Sequence, residues 1–161
     1  AAWWVAAAGG IGRLRPAPGT WASLAAVVAG LALDRIGGAP LLAAAALAAV
    51  AAGAWAVPRV VTPADPDPGW VVIDEEAGRW LALLFPAATF WARGWEGWLP
   101  WPAPLAAFLF FRLFDIWKPW LVGRADRRGD AWGVMLDDLW AGVFAGVAVL
   151  AAAAVAHGVL M

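Results

Sequence analysis

Two uncharged runs constrain this chain more than anything else in it. Ala39–Val57 is nineteen apolar residues without a charge, and Leu139–Ala156 is eighteen. At 1.5 Å of rise per residue, each is long enough as a helix to cross the hydrocarbon of a bilayer. Such helices must be buried in a core or placed in lipid, and composition favours lipid. Of the 161 residues 64% are hydrophobic and 14% charged, against roughly half and a quarter in soluble domains. The length suits a single domain over residues 1–161. The expected fold is therefore all-α, a polytopic membrane helical bundle with about four to five apolar helices and a charged cytoplasmic face. A net charge of −1 gives no nucleic-acid footprint. The absence of Cys removes disulfides and thiolate ligands. The single His, His157, follows an Ala-rich run and reads as exposed rather than catalytic.

Ala1–Ala8 is too short to span and lacks the pattern of a signal peptide. Gly9–Gly19 is a Gly/Pro loop carrying Arg13 and Arg15, and Thr20 reads as the N-cap of a helix over Trp21–Leu33. A basic loop entering a helix N-terminus can hold an anion, or it can be a plain capped turn. Gly37–Gly38 makes a turn before Ala39–Val57, and Pro58 ends that second helix. Pro63–Gly69 is irregular. Trp80–Trp91 is apolar and broken by Pro86, and Pro102 opens a helix to about Trp117. The preference of a residue before proline for extended geometry places the stop near Lys118–Pro119. A polar loop to Asp130 precedes a last helix from about Trp132 to Val159.

Alternating these helices sends Arg13, Arg15, Arg59, Lys118, Arg124, Arg127 and Arg128 to one side and only Arg35 and Arg93 to the other. The positive-inside tendency makes the first side cytoplasmic. Every carboxylate except Asp34 and Glu96 falls there too. Trp91, Trp95, Trp98 and Trp101 gather at the opposite turn, as an interfacial belt would.

The charges concentrate in three clusters: Asp74-Glu75-Glu76, then Arg112, Asp115 and Lys118, then Asp137-Asp138. All sit among apolar neighbours, where an unpaired charge costs on the order of several kcal/mol. Gly78 and Gly142 each follow an acidic pair by one turn and would permit close helix approach. Three such clusters on one side of a membrane can hold one or two hard divalent ions, and Mg²⁺ suits carboxylates that leave room for a phosphate. In the alternative, Asp115 pairs with Arg112 or Lys118 and the acidic pairs are solvated caps.

The blocks GIGRLRPAPGTWASL (10–24), VVIDEEAG (71–78), FRLFDIWKPW (111–120) and GVMLDDLWAG (133–142) resemble, in order and spacing, the phosphatidylglycerophosphatase A family of bacterial membrane lipid phosphatases. The resemblance covers nearly the whole chain. It implies Mg²⁺-dependent hydrolysis of phosphatidylglycerophosphate to phosphatidylglycerol and phosphate, in phospholipid synthesis at the bacterial inner membrane. On this reading Asp74, Glu75, Asp115, Asp137 and Asp138 are catalytic and metal-site candidates, with Glu75 a ligand or the base that orients water. Arg112, Lys118, Thr20, Arg13 and Arg15 would bind substrate phosphate. Direct attack by water and an aspartyl-phosphate route both remain open. The chain departs from the pattern at Glu76 and Arg79, where many relatives are expected to be apolar; an added local charge pair is expected there. The Pro/Asp loop before Trp70 departs too. Other readings are a different membrane lipid-phosphate hydrolase, or a non-enzymatic divalent-ion carrier, which would want its acids near mid-membrane. The DxxDGxxAR signature of CDP-alcohol phosphotransferases is absent.

Overall fold

The computed structural model describes residues 1–160, and its regular structure is helical. The helices are α1 (Ala2–Ala6), α2 (Pro18–Ala56), α3 (Ile73–Trp91), α4 (Ala103–Trp117), α5 (Trp120–Asp126) and α6 (Ala131–Leu160). Among the described residues there is no strand, only a bridge between Thr62 and Asp65 in the Pro/Asp loop.

α2 is a folded pair rather than one rod. Gly38 sits at φ 63° and ψ −168°, a backbone state open to glycine, and Pro40 follows it. Along the first limb Gly19 meets Glu75, Gly30 meets Leu83 and Gly38 meets Trp91. Trp80 Nε1 donates to the Ala26 carbonyl at 2.8 Å between the same two elements. This limb therefore runs beside α3 in the same direction. Gly53 on the second limb is back beside Ile73 and Met135, so that limb runs the other way. The turn expected at Gly37–Gly38 is present.

Four local expectations need correction. α2 starts at Pro18, with Ala17 as an N-cap that makes no side-chain bond, so Thr20 caps nothing. Proline's fixed φ and missing N–H suit the first helical turn, and that preference wins over the threonine. α3 begins at Ile73, so the first acidic cluster forms its first turn, and the helix runs through Pro86. Ala82, Leu83, Pro86 and Ala87 are buried there, and their packing outweighs the lost hydrogen bond. Lys118 ends α4 in the left-handed region, at φ 50° and ψ 54°, and not in extended geometry. Finally, the expected polar loop contains α5, a seven-residue helix with Val122 and Ala125 buried three apart.

Small residues set the spacing at the centre. A Cβ on Gly78 would meet the Asp138 carbonyl and the Phe111 ring, and one on Gly142 would meet the Gly78 carbonyl. α3 and α6 thus touch backbone to backbone, and Phe111 of α4 closes the third side. One end of the bundle collects the start of α2, the end of its second limb, the starts of α3 and α6 and the end of α4. Two helices, over Pro18–Arg59 and Ala131–Gly158, are long and apolar enough to cross a membrane. Only 33% and 28% of their most apolar windows are buried, so neither is an ordinary core helix. Leu24, Val28, Leu47, Leu109 and Val147 all face outwards. An apolar exterior of this kind supports association with a membrane.

Candidate active site

The carboxylates are brought together by the α3–α6 contact. Asp74 and Glu75 lie in the first turn of α3, where the helix dipole favours negative charge. Asp137 and Asp138 lie in the second turn of α6, and Asp115 in the last turn of α4. Gly78, one turn after Asp74, lies against the Asp138 backbone and the ring of Phe111, one turn before Asp115, so the three clusters gather at one end of the bundle. The Glu75 N–H donates to Asp74 Oδ1, and the Asp138 N–H to Asp137 Oδ1, each at 3.0 Å.

Their surroundings then divide them. Asp74 and Asp138 are each 5% exposed, and neither has a cation within salt-bridge distance among the described residues. Asp115 and Asp137 lie nearer the surface and are paired. Arg112 Nη1 donates to Asp115 Oδ2 at 3.0 Å, and Lys118 Nζ to Asp137 Oδ2 at 3.0 Å. Lys118 also bonds to Asp126, which ties its left-handed turn to α5. Burial alone would lower the lysine's pKa, but hydrogen bonds to Asp126 and Asp137 hold it above the usual value. Asp115 does pair with Arg112, one of the two partners the alternative reading gave it. The inner acids, however, are buried and are not solvated caps.

The sequence did not reveal two residues that join this cluster. Ser23, buried on α2, places its hydroxyl 2.7 Å from Glu75 Oε2 and 2.5 Å from the Gly19 carbonyl, linking the loop-to-helix entry to the acid on α3. Its place near the end of the first quoted block, one turn after Gly19, was the available signal. Arg79, 1% exposed, is the other. It neighbours Glu75, 3.9 Å away, and not Glu76 as a local pair would have required. Its guanidinium lies against the Phe108 and Phe111 rings at 4.8 and 4.3 Å. Charge at a helix position one turn after Glu75 is the sequence signal, and the local charge pair expected with Glu76 is replaced by the approach to Glu75.

Arg13, Arg15 and Thr20 are exposed, and among the described residues none of them bonds to a carboxylate of the cluster. The two arginines line a cleft of about 790 Å³ with Trp3, Gly12, Pro18 and Trp70. His157 is exposed near the end of α6. Among the described residues no three His, Cys, Asp or Glu side chains form a ready metal cage. A Mg²⁺ site needs only one or two carboxylates, the rest being water and phosphate oxygens. Two buried, cation-free carboxylates in an all-oxygen donor set fit that requirement.

The family model described as phosphatidylglycerophosphatase A matches residues 4–153. The chain is similar to the phosphatidylglycerophosphatase A of Haemophilus influenzae, 33% identical over 146 residues, 88% of this chain and 82% of that protein. It is 38% identical over 94 residues to a putative phosphatidylinositol-3-phosphatase of Bacteroides thetaiotaomicron, covering 58% of this chain and 54% of the relative. The phosphatidylglycerophosphatase A of Escherichia coli is 37% identical over 78 residues, 48% of this chain and 40% of its own length. No solved structure matches the chain.

Proposed function

The chain belongs to the phosphatidylglycerophosphatase A family and is a phosphatase, and from that premise we propose that it hydrolyses the terminal phosphomonoester of phosphatidylglycerophosphate in a Mg²⁺-dependent reaction. The observation that carries the reading is the pair Asp74 and Asp138, buried without a cation beside three further carboxylates. Asp74 and Asp138 would hold the ion, with Asp137, Glu75 and Asp115 close by. When bound, Mg²⁺ supplies Lewis-acid polarisation of a phosphoryl oxygen and a water of lowered pKa. Arg112 and Lys118 neutralise phosphate oxygens, and Glu75, fixed by Ser23, orients the attacking water and takes its proton. Water oxygen bonds to phosphorus, the bond to the glycerol oxygen breaks, and that oxygen leaves as phosphatidylglycerol with the proton that Glu75 took from the water. Arg13, Arg15 and the first turn of α2 at Thr20 offer further positive potential beside the site.

The test is phosphate release by the purified protein in detergent, expected with Mg²⁺ and abolished by excess chelator. Full activity in chelator would remove the metal from the reaction. The similarity to a phosphatidylinositol-3-phosphatase favours one second reading, another lipid phosphate as substrate, so both lipids belong in the assay.

The same reading makes the chain a multi-pass protein of the bacterial inner membrane. The two limbs of α2, then α3, α4 and α6, cross it, and the acyl chains stay in lipid while the charged end faces the cytoplasm. Because the chain has no Cys, single cysteines at Ala64, Gly129 and Gly94 report topology cleanly. The first two are expected to label only from the cytoplasmic side and the third only from outside. Labelling of Gly94→Cys and Gly129→Cys from one face would overturn the arrangement.

A further inference from the structure

Arg79 is a buried side chain whose donors are left without acceptors: Nε, Nη1 and Nη2 make no hydrogen bond among the described residues. A guanidinium carries five N–H donors and does not give up its charge. Leaving those donors desolvated and without acceptors is costly, and chains rarely keep such a group without a use. Its two phenylalanine neighbours, Phe108 and Phe111, satisfy the flat faces and none of the donors. Glu75 attracts it across 3.9 Å, beyond hydrogen-bond reach. Asp138 and Asp115 attract it as well, and Arg112 repels it. A cation thus stands inside an acidic cluster with its donors unused. That pattern asks for a compact anion with several acceptor oxygens, which could bridge the guanidinium and a cation held by the acids.

We infer that Arg79 is a ligand for the phosphoryl oxygens of the substrate. This rests on the phosphatase reading and assigns one more residue to it. Glu75 is 17% exposed, so an anion that takes its place beside the guanidinium reaches Arg79 from the charged end. Arg112 and Lys118 already have carboxylate partners in the substrate-free structure, whereas Arg79 has to break no hydrogen bond to receive phosphate.

Inorganic phosphate is the probe, read by the rise in unfolding temperature of the protein in detergent at fixed Mg²⁺, which needs no turnover. Wild type should be stabilised. Arg79→Met should need about tenfold more phosphate or higher for the same shift, the worth of one charge-assisted hydrogen bond. Arg79→Gln, which keeps a polar group in the space, carries the same expectation should the methionine variant not fold. Wild type that phosphate does not stabilise, or a folded variant that responds as wild type does, overturns the assignment. Release of phosphate from phosphatidylglycerophosphate by wild type tests the underlying reaction separately. An active wild type with an unchanged Arg79→Met phosphate response defeats the ligand role alone.

Discussion

Asp74 and Asp138 are chemically the same groups as Asp115 and Asp137, yet the fold treats the two pairs in opposite ways. The inner pair sits where the backbones of α3 and α6 touch, at 5% exposure and with no cation in reach. The outer pair sits at the end of α4 and on the rim of α6, each carboxylate bonded to a basic side chain at 3.0 Å. Partly exposed ion pairs stabilise little and rearrange readily. Buried, unpaired carboxylates are destabilising and persist where something outside the chain completes them. On the proposed reading the inner pair is the receptor for a cation. The outer pair has the character of a store of cations that can turn to an arriving phosphate.

The largest expected effect tests the inner pair. Asp138→Asn or Asp74→Asn keeps the shape, removes one buried charge, and should lower turnover by about a thousandfold or more, since an ion supplies several kcal/mol of transition-state stabilisation. The unfolding temperature in detergent should stay level or rise, because a repelled, unpaired charge has been removed. The double variant should be scarcely slower than either single, as for groups acting as a unit. Turnover and thermal unfolding of the three variants are the measurements. Losses that multiply in the double variant would separate the two acids and break the receptor picture.

Much of this was legible from residue order alone. The acidic clusters, the glycines one turn beyond two of them, and the Gly37–Gly38 turn are local signals, and each survives in the fold. Gly78 meets the Asp138 backbone, so the blocks VVIDEEAG and GVMLDDLWAG pack on each other. What was hidden depends on neighbours distant in sequence. No local rule says that Pro86 will be buried well enough to stay helical, or that seven residues after Pro119 will form α5 by packing Val122 and Ala125 inwards. Ser23 and Arg79 could be seen as polar residues near motifs, but their partners lie on other helices. The division of five acids into buried and paired is a tertiary property, and alternating charge along a chain cannot express it.

The smaller effect tests the outer group through Lys118, which is 29% exposed and shared between Asp126 and Asp137. Lys118→Met keeps the length of the side chain and removes its charge. If the lysine turns to phosphate in ground state and transition state alike, the loss is one of uniform binding. KM should then rise about tenfold, the worth of a charge-assisted hydrogen bond, with kcat changed far less. The Mg²⁺ concentration for half-maximal activity should stay where it is in wild type, because Lys118 faces Asp137 and touches neither Asp74 nor Asp138. Stability should fall by about 1–3 kcal/mol, because Asp126 is open to solvent but Asp137, 13% exposed, loses its cation. The decisive measurement is KM, kcat and Mg²⁺ dependence on the same preparation. A Lys118→Met enzyme with intact KM but a thousandfold lower kcat, or with a displaced Mg²⁺ requirement, would place the lysine with the inner acids. Store and receptor would then be one unit, and the contrast between the two pairs would describe burial without describing function.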